Sequence, residues 1–362
     1  MVKTIGILGS GQLGRMIALA AAELGMRAHI FAPDAEGSPA GDVAYATTTA
    51  SYDDKEALLA FADHIDGITS EFENVPSSAL AIIADKIEIV SPSIQALDTA
   101  QDRLAEKQMA KKLSIMTPHF WAINSQQDLE TALAELDGKG FLKTRRDGYD
   151  GKGQMRVATG DNCQQIWQEM GDKPLILEEA IDFIAEASFL VTRDKQGKIA
   201  HFPAAMNHHI DGILASSTAP APLDDKIIQK GMAAVEAIAE ELSLCGILAM
   251  ESFVTNTGDI IFNEIAPRPH NSFHWTIEGA NCSQFEQLAR ITGGLPMKRI
   301  TNRGLWRMEN LLGQHADQIA GFMQDDDIHS HIYGKEAYRA GRKIGHITYQ
   351  LFDNSDKSNK VS

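Results

Sequence analysis

The chain is predicted to be an α/β protein in three pieces: a Rossmann-like N-terminal domain with its linker helix (1–115), a small middle domain (116–182) and a larger C-terminal α+β domain (183–352). Residues 353–362 are polar and expected to form a disordered tail. Three observations carry this division. A β-run, Thr4–Leu8, passes through Gly9-Ser10-Gly11-Gln12-Leu13-Gly14 into apolar residues at helical spacing, which is how a doubly wound sheet begins. Met116-Thr117-Pro118 stops a charged helical run, because proline cannot continue one. Two apolar runs, 247–254 and 260–265, flank Thr255-Asn256-Thr257-Gly258, which is turn chemistry between β-formers and so a hairpin.

With 362 residues, 44% apolar and 23% charged, the chain can bury two or three cores. Its formal charge of −16 argues against a nucleic-acid partner, since phosphate backbones are bound by basic faces. Cys163, Cys245 and Cys282 show no CxxC spacing, so neither a disulfide framework nor a zinc site is indicated, and a reducing cytosol is expected. The start of the chain runs straight into a strand without a signal-peptide pattern, and no apolar run approaches the roughly 18 residues that span a bilayer, so no membrane partner is expected.

In chain order, Leu13, Ile17, Ala20, Ala21 and Leu24 form one helical face, and Gly25 is placed to cap its C-terminus. A second strand, 28–31, ends just before Asp34. Read literally this is a dinucleotide fingerprint: glycines admit a phosphate to a helix N-terminus, and an acid about 20 residues on meets a ribose. NAD, another phosphorylated ligand, or a plain tight turn all remain open readings. Glu71-Phe72-Glu73-Asn74-Val75-Pro76 follows a short strand, at the carboxyl end where open α/β sheets bind ligands; a helix start near Pro76 reads equally well. Gln101 to Lys107 opens a helix whose charges are expected to be mostly a solvated face.

The strand 141–143 ends in Lys143 and enters a loop to Gln154 that carries Arg145, Arg146, Lys152, Gly148, Gly151 and Gly153. Such a loop can fold backbone N–H groups and charge over a polyphosphate, although it lacks the GxxxxGK[ST] spacing. The alternative is a flexible basic hairpin. The run 176–181 holds Glu178 and Glu179 and either leads to an adenine-holding hinge or simply leaves a sheet. Ile228, Met232, Val235, Ile238 and Leu242 have core-helix spacing. Lys335 to His346 concentrates basic groups in an acidic chain, which indicates a local anion pocket or a solvated turn.

Each run of the C-terminal hairpin carries one acid. On antiparallel strands Glu251 and Glu264 fall nearly opposite, about 4.5–5.5 Å apart at Cβ if directly paired. Two bare carboxylates that close repel, and a hard divalent cation carried on phosphates would neutralise them. The alternative is an exposed edge with both acids in water. Arg268, His270, Asn271 and His274 follow in a proline-punctuated loop and add anion-binding and proton-handling groups.

ESFV, a turn and NEIAPRPHNSFHWT resemble the hairpin and following loop of the N5-carboxyaminoimidazole ribonucleotide synthetase family of ATP-grasp enzymes. The resemblance continues in order through GILGSGQLGRM, EFENV, QDRLAEK, KTRRDGYDGKGQ and GRKIGH. It implies an ATP-grasp fold in which residues 116–182 form the small lid domain, ATP and Mg²⁺ as cofactors, and ATP-dependent carboxylation of 5-aminoimidazole ribonucleotide by bicarbonate through carboxyphosphate, in purine biosynthesis. A cytoplasmic homodimer is also implied. By the same resemblance, Arg103, Lys143, Gly148, Tyr149, Asp150, Gly151, Lys152, Gly153 and Gln154 hold the nucleotide phosphates. Glu178, Glu179, Ala180, Ile181, Glu186, His209, Asn263 and Glu264 contact the nucleotide, and Glu251 and Glu264 the metal. Tyr149, Asp150, Lys152, Arg268, Asn271 and His274 surround bicarbonate and the acceptor amine, with His274 or Asp150 moving the proton. Gly11, Gln12, Leu13, Glu73, Asn74, Arg342 and Lys343 take the ribonucleotide. Two departures stand out: Phe273 occupies a position where the family usually has glycine, and Ala266 one where many other ATP-grasp enzymes have a metal-ligating Asn. Two further enzyme readings stay in view. A formate-dependent glycinamide ribonucleotide transformylase-type ligase shares the superfamily, and an NAD-dependent dehydrogenase would use the first glycine turn and Asp34 while leaving the acid hairpin without a task. A non-catalytic nucleotide-binding regulator would not need every one of these charged groups.

Overall fold

The computed structural model describes residues 2–146, 148, 153–171, 173–352 and 359–361. Thr4–Leu8 (β1), Arg27–Ala32 (β2), Ala46–Thr49 (β3), Gly67–Ser70 (β4) and Val90–Ser91 (β5) pair in parallel in the order β3-β2-β1-β4-β5. The order reverses between β1 and β4, so the ligand crevice of this sheet lies beyond Leu8 and Ser70. The helix Gln12–Glu23 follows β1 as its spacing predicts, and Gly25 takes a positive φ of 72° just past its end.

Phe120–Ile123 (β6), Lys139–Thr144 (β7), Gln154–Ala158 (β8) and Leu175–Glu179 (β9) form a separate antiparallel sheet, β6-β9-β7-β8. It has its own core, with Ile123, Leu129, Leu133, Leu142 and Leu177 among its members. The third sheet comprises Ala185–Arg193 (β10), Ile199–His201 (β11), Ala205–Ile210 (β12), Ile213–Ala219 (β13), Gly246–Val254 (β14), Ile260–Ala266 (β15), Leu305–Leu312 (β16), His329–Ile332 (β17) and Lys343–Leu351 (β18). Its order is β15-β14-β10-β12-β13-β16-β18-β17, with β11 paired to β10.

One core joins the first and third sheets: Ile5, Ile7, Ile17 and Ala21 belong to the same cluster as Phe273, Trp275, Phe285 and Trp306. The helix Arg103–Lys112 is likewise built into the third sheet, with Met109 and Ala110 in the core that holds Leu248, Met250, Phe262 and Ile265. Its charges are not mostly a solvated face, contrary to the sequence reading. Asp102, Glu106 and Lys107 are 6%, 2% and 1% exposed, because the helix lies over β15, where Glu106 and Lys107 bond to the strand backbone, while Asp102 at its start accepts from Arg145. The tail also needs correction at its end. Lys360 and Val361 donate their backbone N–H groups to the buried Glu309 carboxylate at 2.8–3.1 Å, since a carboxylate inside a sheet requires donors. Residues 353–358 lie outside the described residues. Among the described residues, no helix is long and apolar enough to cross a membrane.

Candidate functional site

A cleft of about 1140 Å³ opens where the three sheets meet. Its floor is the predicted hairpin. β14 and β15 turn through Thr255 to Asp259, where Thr255 N–H donates to Asp259 O at 3.0 Å and Gly258 adopts φ 77°. Glu251 stands opposite Glu264, and a bulge follows, with Ser252 opposite Phe262. The extra residue puts two consecutive side chains, Asn263 and Glu264, on the cleft face with Glu251. Burial, and next the charge of Glu264, push Glu251 up to about 7. His270 Nε2 sits 3.2 Å from a Glu251 oxygen.

Two half-buried carboxylates side by side are a hard oxygen donor set, and they fit a divalent cation of the magnesium type. Among the described residues no cluster of three or more His, Cys, Asp or Glu could hold a metal alone. A cation on Glu251 and Glu264 would therefore complete its shell from phosphate and water.

Cationic groups face this floor. Lys143 Nζ donates to Glu178 Oε2 at 3.0 Å, and Lys107 Nζ lies 3.5 Å from the other Glu178 oxygen. Burial lowers the Lys143 pKa despite the Glu178 charge. Arg103 donates to Thr144 O and Gly148 O, both at 3.1 Å, and so anchors the start of the glycine-rich loop. Arg145 forks onto Asp102 at 3.0 and 2.5 Å. On the far wall His209 Nδ1 is 2.6 Å from Glu186 Oε2. Burial depresses this imidazole, but the Glu186 bond and the Glu251 charge more than offset that, so its pKa is raised. Arg268 forks onto Glu73, with one bond of 3.0 Å, and burial of that pair is outweighed by the guanidinium, which holds Glu73 below the usual range.

Arg103, Lys143, Gly148, Gln154, Glu178, Glu179, Ile181, Glu186, His209, Asn263, Glu264, Glu251, Arg268, Asn271, Glu73, Asn74 and Lys343 all line the cleft. Asn271 has both amide atoms buried without a hydrogen-bond partner among the described residues. Tyr149, Asp150, Gly151 and Lys152 lie outside the described residues, and Gly153 borders them with φ 72°.

Several of the expected site residues lie elsewhere than on the cleft wall. His274 is fully buried and does not line the cleft; its Nδ1 is 2.9 Å from Gln284 Nε2, its ring packs on Phe285 and His346, and burial holds it well below its ordinary pKa. The short 3₁₀ turn Asn271–Phe273 explains this, since it aims Asn271 outward and turns Phe273 and His274 into the core. Phe273 has no positive φ, so a core side chain fills the usual glycine position without backbone strain. Arg342 is exposed outside the cleft and donates to Ala337 O at 3.4 Å, whereas its neighbour Lys343 faces inward, as alternation at the start of β18 dictates. Ala180, between Glu179 and Ile181, is not among the residues that line the cleft. Glu178 lines the cleft with its carboxylate held between Lys143 and Lys107.

Gly11, Gln12 and Leu13 do not line the cleft either. The glycine turn already carries an anion: Gly11 N–H and Gly14 N–H donate to the two oxygens of Glu71, the latter at 2.7 Å. Asp34 accepts from Ser10 Oγ at 2.6 Å instead of waiting for a ribose. This arrangement overturns the NAD reading. The sequence reading also missed Glu106 and Lys107, although Arg103, Glu106, Lys107 and Ala110 fall at i, i+3, i+4, i+7 and so share the face of the helix that meets the site.

Three family models match the chain in succession, and the middle one spans both the second sheet and the first half of the third. A ribonucleotide synthetase preATP-grasp domain matches residues 2–101, an ATP-grasp domain 108–285, and a phosphoribosylaminoimidazole carboxylase C-terminal domain 307–359. Fold and site together are those of an ATP-grasp ligase. The chain is 42% identical to the N5-carboxyaminoimidazole ribonucleotide synthase of Brucella melitensis over 95% of both chains, and 37% identical to that of Bacillus subtilis over 95% and 90%. It superposes on the synthetase structure from Thermus thermophilus with a TM-score of 0.89 at 40% identity, covering 96% and 93% of the two chains. The Aspergillus clavatus enzyme in complex with ADP and 5-aminoimidazole ribonucleotide gives 0.88 at 28% identity, covering 97% and 94%. The chain belongs to the N5-carboxyaminoimidazole ribonucleotide synthase family.

Proposed function

We infer that this chain is a carbon–nitrogen ligase that uses ATP and bicarbonate to carboxylate the amine of 5-aminoimidazole ribonucleotide in purine biosynthesis. The observation that carries the reading is the in-register pair Glu251 and Glu264 facing Arg103 and Lys143 across one cleft, in a chain of this family. Bicarbonate is a poor electrophile. Transfer of the ATP γ-phosphoryl group to a bicarbonate oxygen gives carboxyphosphate and ADP; attack by the amine then forms the C–N bond, breaks the C–O bond to phosphate, and the amine proton leaves with that phosphate. Positioning and charge stabilisation set the barrier of such a transfer. Glu251 and Glu264 would hold Mg²⁺, which neutralises phosphate charge when bound.

Within this reading Arg103, Lys143 and the Gly148 to Gln154 loop hold the phosphates, including Tyr149, Asp150, Gly151, Lys152 and Gly153. Glu179, Ile181, Glu186, His209 and Asn263 hold the rest of the nucleotide. Arg268 and Asn271 orient bicarbonate and the amine, with His270 replacing His274 as the imidazole at the cleft. Glu73, Asn74 and Lys343 bind the ribonucleotide. The three pieces act as preATP-grasp, lid and large domains, and the enzyme works as a cytoplasmic homodimer.

The test is ADP release with each of 5-aminoimidazole ribonucleotide, bicarbonate and ATP omitted in turn, and with formate in place of bicarbonate. Turnover requires all three, and formate does not substitute; turnover with formate in place of bicarbonate would favour a transformylase. Glu251→Ala and Glu264→Ala should each lower kcat by at least about a hundredfold while leaving the folded circular-dichroism spectrum intact. Sedimentation equilibrium checks the dimer.

A further inference from the structure

β15 is the outermost strand of its sheet, so alternate backbone groups face away from β14 and need partners from elsewhere. One segment supplies three of them. Met116 O accepts from Phe262 N–H at 2.8 Å, Lys107 Nζ donates to Asn263 O, and Glu106 Oε1 accepts from Ile265 N–H at 2.8 Å. The last two bonds bracket Glu264. They come from successive residues of a helix fixed in the core by Met109 and Ala110, and neither side chain is more than 2% exposed. The same Lys107 lies 3.5 Å from Glu178, whose other oxygen holds Lys143.

We propose that Glu106 and Lys107 are positioning residues that clamp the bulged backbone at Asn263 to Ile265, holding Glu264 beside Glu251 and tying that pair through Glu178 to Lys143. The functional half of this statement rests on Glu251 and Glu264 as divalent-cation ligands; the clamp itself does not. A strand cover that served stability alone would hold the fold together without tuning the acids.

The discriminating variants are Glu106→Leu, which removes the acceptor; Glu106→Gln, which keeps a carbonyl oxygen for Ile265 N–H; and Lys107→Met, which keeps length without charge. Glu106→Met serves as a second apolar variant should Glu106→Leu not fold. Two readouts are taken on the full chain: amide hydrogen exchange at 263–265, and Mn²⁺ titration in the presence of ADP followed by electron paramagnetic resonance. Glu106→Leu and Lys107→Met should exchange faster at Ile265 and bind Mn²⁺ about 10–100-fold more weakly, as lost support of metal ligands does, while Glu106→Gln stays within about threefold. Unchanged exchange overturns the clamp. Faster exchange with wild-type Mn²⁺ affinity overturns the coupling, and a Glu106→Gln loss equal to that of Glu106→Leu overturns the acceptor role. If the wild-type chain binds no Mn²⁺ with ADP, the ligand reading fails while the exchange readout still judges the clamp.

Discussion

Glu71 shows how a familiar pattern can be filled from within. The turn Gly9 to Gly14 has the spacing that admits a phosphate, yet its N–H groups hold a carboxylate from the end of the neighbouring strand. The glycines are required by that side chain: a Cβ on Gly9 would come within 2.3 Å of Glu71 Cγ, and one on Gly11 within 2.7 Å of Oε1. The pattern of glycines was legible in the sequence, but the identity of the anion was not, because Glu71 lies 57 to 60 residues away from its donors. Glu71→Ala should empty the seat. Millimolar inorganic phosphate would then raise the melting temperature of the variant but not of the wild type in scanning calorimetry, and the variant without phosphate should be about 1–3 kcal/mol less stable for its orphaned donors. No phosphate-dependent rise in the variant would refute the assignment. His274 failed for a related reason: its residue type suits proton transfer, but a one-turn 3₁₀ segment sets its direction, and nothing in the letters reports that direction.

At the scale of elements, the hairpin was the most legible part of the chain. Turn residues between two apolar runs located both strands within a residue, and placed Glu251 opposite Glu264. The bulge beside them was not legible, since an extra residue is fixed by what covers the outer strand. The helix Arg103–Lys112 does the covering, and its charges looked solvated only while its neighbour was unknown. Gly258 allows a direct check on the turn. It adopts φ 77° with nothing nearer than 3.5 Å to an added Cβ, so Gly258→Ala meets backbone strain without collision. Unfolding in urea should show a loss of about 1 kcal/mol with unchanged ADP and Mn²⁺ binding.

Across the whole molecule, strand–helix alternation and proline punctuation revealed three pieces, whereas the long-range pairing that adds β16, β17 and β18 to the third sheet had no local signature. Burial of histidine gives the molecule a predictable response to acid. His274 and His346 are fully buried with rings 4.8 Å apart, and burial, followed by neighbouring imidazoles, holds both well below 6.5. Their folded pKa values lie beneath the unfolded one, so the unfolded chain binds more protons as pH falls. The stability these residues carry is therefore complete above about pH 6.5 and is lost below it, at about 1.4 kcal/mol per pH unit for each imidazole. Chemical denaturation at pH 7.5 and 5.5 should show this fall, and a His274→Gln, His346→Gln double variant should show a smaller one.

The shared core of the first and third sheets has a further meaning for how the chain can be divided. Ile5 and Ile17 on one side and Trp275 and Phe285 on the other are parts of a single hydrophobic mass, so the first hundred residues and the last hundred and eighty form one chassis. The β6 to β9 sheet keeps its apolar residues to itself and hangs from that chassis as an appendage. The gene can thus be thought of as one protein interrupted by an insert: excising the insert removes a self-contained unit, whereas cutting at the proline break that looks like a boundary would strip greasy surface bare on both fragments.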